Sequence, residues 1–171
     1  MDLKDKIRSI ENYPQEGVIF RDITTLLKDA EAMKTAVDEI TARLAEMQYD
    51  LVLSPESRGF IFGMPVAYNM GKGFVPVRKA GKLPAETISK EYELEYGTAT
   101  IEIHKDAVQP GQRVVIVDDL LATGGTAKAI MEMVEEMGAE VAACAFLIEL
   151  DFLEGRKDLP DCRIESVIHY E

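Results

Sequence analysis

Cysteine and positive charge are both scarce in this sequence. Its two cysteines are Cys144, in an apolar strand-like run, and Cys162, in a polar stretch. With no apolar signal core in the opening MDLKDKIRSI, they read as free thiols of a chain expected to stay in the reducing cytoplasm. No segment approaches the roughly 20 uninterrupted apolar residues of a membrane span, so no membrane partner is expected. Lysine and arginine number 19 against 31 acidic residues, a net charge of −12. That balance argues against a nucleic-acid partner, because such proteins are usually basic or carry a basic face. Repeats, low-complexity tracts and linkers are also missing, so the 171 residues are expected to form one domain. An acidic chain that bound a polyanion would have to gather its positive charge locally, and a divalent cation would help.

What the sequence does contain is organised around Arg113–Thr126, RVVIVDDLLATGGT. Val114-Val115-Ile116-Val117 is an unbroken apolar run, as in a parallel strand buried on both faces. Asp118 and Asp119 follow it, then Ala122-Thr123-Gly124-Gly125-Thr126. Ala127, Ile130, Met131, Val134 and Met137 then recur at helical spacing, predicting a helix over 124–137 with Gly138 at its end. A loop between such a strand and helix offers free N–H groups and the positive end of the helix dipole, a site for phosphate. No lysine follows Gly125, which excludes a Walker loop, and two adjacent glycines do not make a dinucleotide fingerprint. Carboxylates beside a phosphate should face vicinal hydroxyls, which donate to them. A ligand with a monophosphate on one side and a ribose diol on the other fits. A solvated strand end followed by an ordinary helix start remains an open alternative.

Along the rest of the chain, Asp2, Leu3, Ile7 and Ile10 predict a short helix over 2–11, ended before Pro14. Val18-Ile19-Phe20 is an apolar patch closing in Arg21-Asp22, which by pattern alone reads first as an ordinary strand ending in a surface ion pair. Asp29 caps a predicted helix over 30–47. Residues 49–54 read as a buried strand, running through Ser57-Arg58-Gly59 into a helix that ends near Gly71. The Ser57–Gly59 turn suits a pyrophosphate clamp, and a surface arginine is the alternative. Residues 74–78 are a strand in which Pro76 removes a ladder donor, indicating an edge or irregularity. It leads to the basic cluster Arg78, Lys79 and Lys82, either a solvated turn or the local positive charge an anion site needs. Residues 83–103 read as a β-ribbon with a mobile tip, 141–150 as a buried strand and 164–170 as the last strand. His104 reads as an exposed strand residue.

VVIVDDLLATGGT closely resembles the phosphoribosyl-pyrophosphate signature of type I phosphoribosyltransferases, in the form typical of those acting on adenine. The resemblance implies that Ala122, Thr123, Gly124, Gly125 and Thr126 hold the 5′-phosphate and that Asp118 and Asp119 hold the ribose hydroxyls. GVIFRDI resembles the family's hood motif, implying that Ile19, Phe20 and Arg21 line an adenine pocket. ESRGFIFG and RKAGKLP resemble its pyrophosphate motifs, implying that Ser57, Arg58, Gly59, Arg78, Lys79 and Lys82 hold pyrophosphate, Arg58 also serving catalysis. A strained peptide near Glu56-Ser57, one that can be cis, is implied as well. LEYG makes Glu95 the acid or base and Tyr96 a transition-state contact.

The implied fold is α/β: a mainly parallel central sheet flanked by helices, with a small hood from about 1–30 and a flexible catalytic loop and ribbon over about 79–103. The implied reaction joins adenine to phosphoribosyl pyrophosphate, giving AMP and pyrophosphate. Mg²⁺ would be held mainly by substrate oxygens and water, in a homodimer with Arg78 near the partner's active site. Two alternatives stay open: the same chemistry on another purine base, or a non-catalytic ligand-sensing regulator on the same fold.

Overall fold

In the computed structural model, residues 1–94, 97–159 and 161–171 are described. Asp2 caps a single 3-10 turn, Leu3–Lys6, its carboxylate accepting from the Lys4 N–H at 3.0 Å. The chain then extends as β1 (Arg8–Glu11), antiparallel to β2 (Ile19–Asp22) with Ile10 opposite Phe20. The helix expected over 2–11 is therefore limited to its first turn. Leu3 and Ile7 are buried as its stripe requires, but beyond them the backbone hydrogen-bonds to β2. Asp22 pairs not with its neighbour Arg21 but with Arg8, and also accepts from the Thr24 N–H and hydroxyl. These bonds hold its carboxyl down to about 2.

A short α1 (Thr24–Leu27) leads to α2 (Ala30–Leu44), where Asp29 accepts from the N–H groups of Glu31 and Ala32. Val37, Ile40 and Leu44 form its buried stripe. β3 (Leu51–Pro55) then enters α3 (Arg58–Met70), which ends at Gly71 in a left-handed conformation, φ 66°. Gly63 lets α3 lie flat on β3, since a Cβ there would stand 1.9 Å from Ser54 Oγ. The remaining elements are β4 (Gly73–Lys79), β5 (Thr87–Glu93), β6 (Thr98–His104), β7 (Arg113–Leu121), α4 (Gly125–Glu136), β8 (Glu140–Leu150) and β9 (Arg163–Tyr170). Two further 3-10 turns, Asp151–Leu153 and Gly155–Asp158, lie between the last two strands.

Seven strands form one sheet in the order β5-β6-β4-β3-β7-β8-β9. The pairs from β4 through β9 are parallel, and β5 and β6 join antiparallel. β6 reaches β4 only at Arg78 and Lys79, so at Pro76 the strand is an edge, where a missing donor is tolerated. Val114 to Val117 are all fully buried at the sheet centre. Val115 and Val117 pack with α2 and α3 on one face, while Val114 and Ile116 pack with α4 on the other. Both cysteines are free thiols, their sulfurs 3.6 Å apart.

Candidate active site

Parallel strands carry their loops at the carboxyl ends, which is where open α/β sheets bind ligands. Here the ends of β3, β4 and β7 and the start of α4 surround a cavity of about 950 Å³. β7 runs four residues further than its apolar core because Leu120 and Leu121 still pair with Ile148 and Glu149 of β8. Asp118 and Asp119 are consequently inside the strand's last pairs and not beyond its end, and both line the cavity.

The two carboxylates differ. Asp118 is partly exposed, accepts from the Asp119 N–H at 2.8 Å, and lies against Gly59. A Cβ on Gly59 would stand 2.9 Å from Asp118 Oδ1, so the close approach requires glycine. Although part of the residue faces the cavity, its carboxyl is packed among the strand ends, and the lost hydration, then the Asp119 charge, push it well above the usual carboxylate range. Asp119 is buried and paired with Arg58, Nε to Oδ2 2.8 Å. The Arg58 guanidinium also lies 5.8 Å from the centre of the Phe20 ring, which connects the hood to the acidic pair.

Ala122 to Thr126 form the cavity's next wall. Gly124 has φ 89° and Gly125 begins α4, so the first-turn N–H groups of a twelve-residue helix open here with no side-chain cap. Tyr92 crosses from β5 to bring its hydroxyl within 3.0 Å of Thr126 Oγ1.

The basic residues divide. Ser57, Arg58, Gly59 and Lys79 line the cavity; Arg78 and Lys82 do not. Arg78 Nε lies 3.1 Å from Glu56 Oε1, which also accepts the Lys79 N–H at 2.8 Å, and the Glu56-Ser57 peptide is cis. In the hood, Phe20 stacks edge-on against Tyr13, Ile19 is half exposed, and Arg21 lies over the Tyr170 ring at 3.8 Å. None of the three lines the cavity. Glu95 and Tyr96 fall outside the described residues.

Sequence reasoning missed the support behind the loop. Gly155 packs on Gly124 and Ala122, and Arg156 grips the buried Glu149 through two hydrogen bonds of 2.7 and 2.9 Å. The available signal was Glu149 itself, a carboxylate at the end of the apolar run AFLIEL.

This arrangement defines a class. The phosphoribosyl transferase domain matches residues 24–169, and the fold is the type I phosphoribosyltransferase fold. An adenine phosphoribosyltransferase from Alkaliphilus oremlandii is 57% identical over all of this chain and 99% of its own length. The crystal structure of adenine phosphoribosyltransferase from Thermoanaerobacter pseudethanolicus superposes with a TM-score of 0.96 at 55% identity, covering 99% of this chain and 98% of that one. The Saccharomyces cerevisiae enzyme, solved with an imino-altritol bisphosphate and adenine, has a TM-score of 0.90 at 39% identity, covering 97% and 96%. The chain belongs to the adenine phosphoribosyltransferase family.

Proposed function

We propose that the protein transfers the 5-phosphoribosyl group from phosphoribosyl pyrophosphate to adenine, giving AMP and pyrophosphate, a purine-salvage step. The observation that carries this reading is the juxtaposition, in one cavity, of an acidic pair and an uncapped helix N-terminus. Ala122 to Thr126 receive the 5′-phosphate through backbone N–H groups, and Asp118 and Asp119 accept from the ribose hydroxyls. As the C1′–O bond breaks, positive charge grows on the ribose within the field of these carboxylates. Ser57, Arg58, Gly59 and Lys79 face the pyrophosphate as it leaves. Arg58 must exchange Asp119 for substrate oxygens, which frees that carboxylate for the sugar.

Glu95 is the proposed manager of the purine N7 proton and Tyr96 a transition-state contact. Ile19, Phe20 and Arg21 form the adenine side, where Phe20 supplies a flat apolar face. The cavity fits a magnesium ion carried mostly by pyrophosphate oxygens and water. Among the described residues, the one group able to converge on a metal is Glu149, Asp151 and His169, and Glu149 is already bonded to Arg156 and Ser166. Bound in the cavity, magnesium would neutralise charge on the departing pyrophosphate.

The working unit is proposed to be a cytoplasmic homodimer. Ile61, Met64 and Tyr68 stand exposed at helical spacing on α3, an apolar stripe suited to a second copy. Arg78 and Lys82, outside the lining of their own cavity, are the pyrophosphate contacts that a dimer could bring to the partner's site.

The test is steady-state assay with phosphoribosyl pyrophosphate and each of adenine, hypoxanthine, guanine and xanthine at equal concentration. AMP formation dominating identifies the adenine enzyme. Preference for a 6-oxo purine moves the reading to another base, and no turnover with any base would leave a ligand sensor.

A further inference from the structure

We propose that Tyr92 is a positioning residue for the 5′-phosphate, acting through the hydroxyl of Thr126; this rests on the phosphoribosyl reading above. The Tyr92 hydroxyl and Thr126 Oγ1 are 3.0 Å apart. The rest of the residue is built in. Its ring is half-buried, packs against the α4-side core, and stands 3.5 Å from where a Cβ on Gly125 would be. Two residues earlier, Lys90 bonds both Glu132 at 3.0 Å and Glu136 at 3.2 Å. β5 is thus strapped along α4, and Tyr92 is the point where the strap meets the anion loop.

The direction of the hydroxyl protons gives this contact its role. Each hydroxyl has one proton to donate and lone pairs to accept with. A phosphate monoester dianion is an acceptor only, so Thr126 must donate to it. The Tyr92–Thr126 bond then survives only with Tyr92 as donor and Thr126 as acceptor. In that order Tyr92 holds the Thr126 oxygen in place and leaves its proton directed at the phosphate. Without the tyrosine hydroxyl, the Thr126 hydroxyl loses this partner and its proton is free to turn away from the phosphate. By thermodynamic reciprocity, a phosphate that fixes the Thr126 proton also tightens Tyr92 and the strand carrying it.

The experiment uses the 171-residue chain and titrates ribose 5-phosphate and AMP, with adenine as control, into wild type, Tyr92→Phe, Thr126→Val and the double variant. Phenylalanine keeps the ring and its packing, and a thermal melt verifies folding. Tyr92→Phe is expected to weaken ribose 5-phosphate by about 3- to 10-fold, the loss of one hydrogen bond, while leaving adenine unchanged. In the Thr126→Val background it should add no further loss. Hydrogen exchange of β5 amides should slow on adding ribose 5-phosphate in wild type and much less in Tyr92→Phe. Unchanged affinity in Tyr92→Phe, or full additivity with Thr126→Val, would overturn the proposal. Wild type that binds neither ribose 5-phosphate nor AMP would overturn the phosphoribosyl reading and this inference with it.

Discussion

The carbonyl oxygen of Ala122 rests so close to Gly155 that a Cβ at position 155 would stand 2.5 Å from it. The contact is reciprocal, since a Cβ on Gly124 would lie 2.7 Å from the Gly155 carbonyl oxygen. Behind it, Glu149 holds the supporting turn through Arg156 and accepts from the Ser166 hydroxyl at 2.6 Å. Burial opposes charge on Glu149, but the bonds from Arg156 and Ser166 outweigh it and keep its carboxyl below the ordinary value. The loop at residues 122–126 therefore rests on a backbone-to-backbone contact with a segment about thirty residues later in the chain.

Gly155→Ala is expected to push this loop out of shape. Overpacking of this kind costs about 1–3 kcal/mol, which urea unfolding will read. The KM for phosphoribosyl pyrophosphate should rise at least several-fold while that for adenine changes little. Equal effects on both substrates would point to general destabilisation.

Glu95→Gln should lower kcat far more than it weakens either substrate, because the carboxylate is assigned to proton transfer and not to binding. Single-turnover rates and ligand affinities separate the two. Parallel losses would reassign Glu95 to binding.

Asp22 gives a pH signature in stability. Its carboxyl is depressed from 3.8 to about 2, chiefly by its bonds to Arg8 and Thr24. A depressed acid contributes stability that is full above its unfolded value and is lost as pH falls through the folded one. The stability difference between wild type and Asp22→Asn should therefore be constant above about pH 5 and shrink between about pH 4 and 2. Its plateau should be on the order of 2 kcal/mol, less whatever solvent screening at the half-exposed Arg8 removes. A difference that does not vary between pH 6 and 3 would contradict the assignment.

Met64→Lys with Tyr68→Lys places two charges in the exposed stripe of α3, where the parent side chains are 52% and 82% exposed. Folded-state stability of the single chain should barely change. Sedimentation should report a shift from dimer towards monomer, with activity falling alongside; an unchanged dimer would remove α3 from the interface.

Much of this was legible in the residues, for physical reasons that differ by element. Val114 to Val117 could be read as buried on both faces because no polar side chain interrupts them, and all four are fully buried. Asp29 announced α2 because a capping carboxylate acts on N–H groups two and three residues away. The order of strand, acidic pair, glycine turn and helix was readable because it is contained in consecutive residues, and Asp118 to Thr126 line one cavity. Contacts between distant residues were not. β1 replaced most of an expected helix because its partner, β2, lies across a turn that periodicity does not register. Arg78 is held by Glu56, twenty-two positions earlier, a pairing that no local pattern announces. Gly155 and Arg156 carry no local sign of the loop they support, because their role exists only once β8 has brought Glu149 beside them.

The most direct measurement is a crystal structure with AMP bound. The expected arrangement puts the 5′-phosphate within hydrogen-bond distance of the N–H groups of residues 123–126, and the ribose hydroxyls on Asp118 and Asp119 with Arg58 released from Asp119. A nucleotide bound with its phosphate elsewhere, or with both aspartates turned away from the sugar, would contradict it.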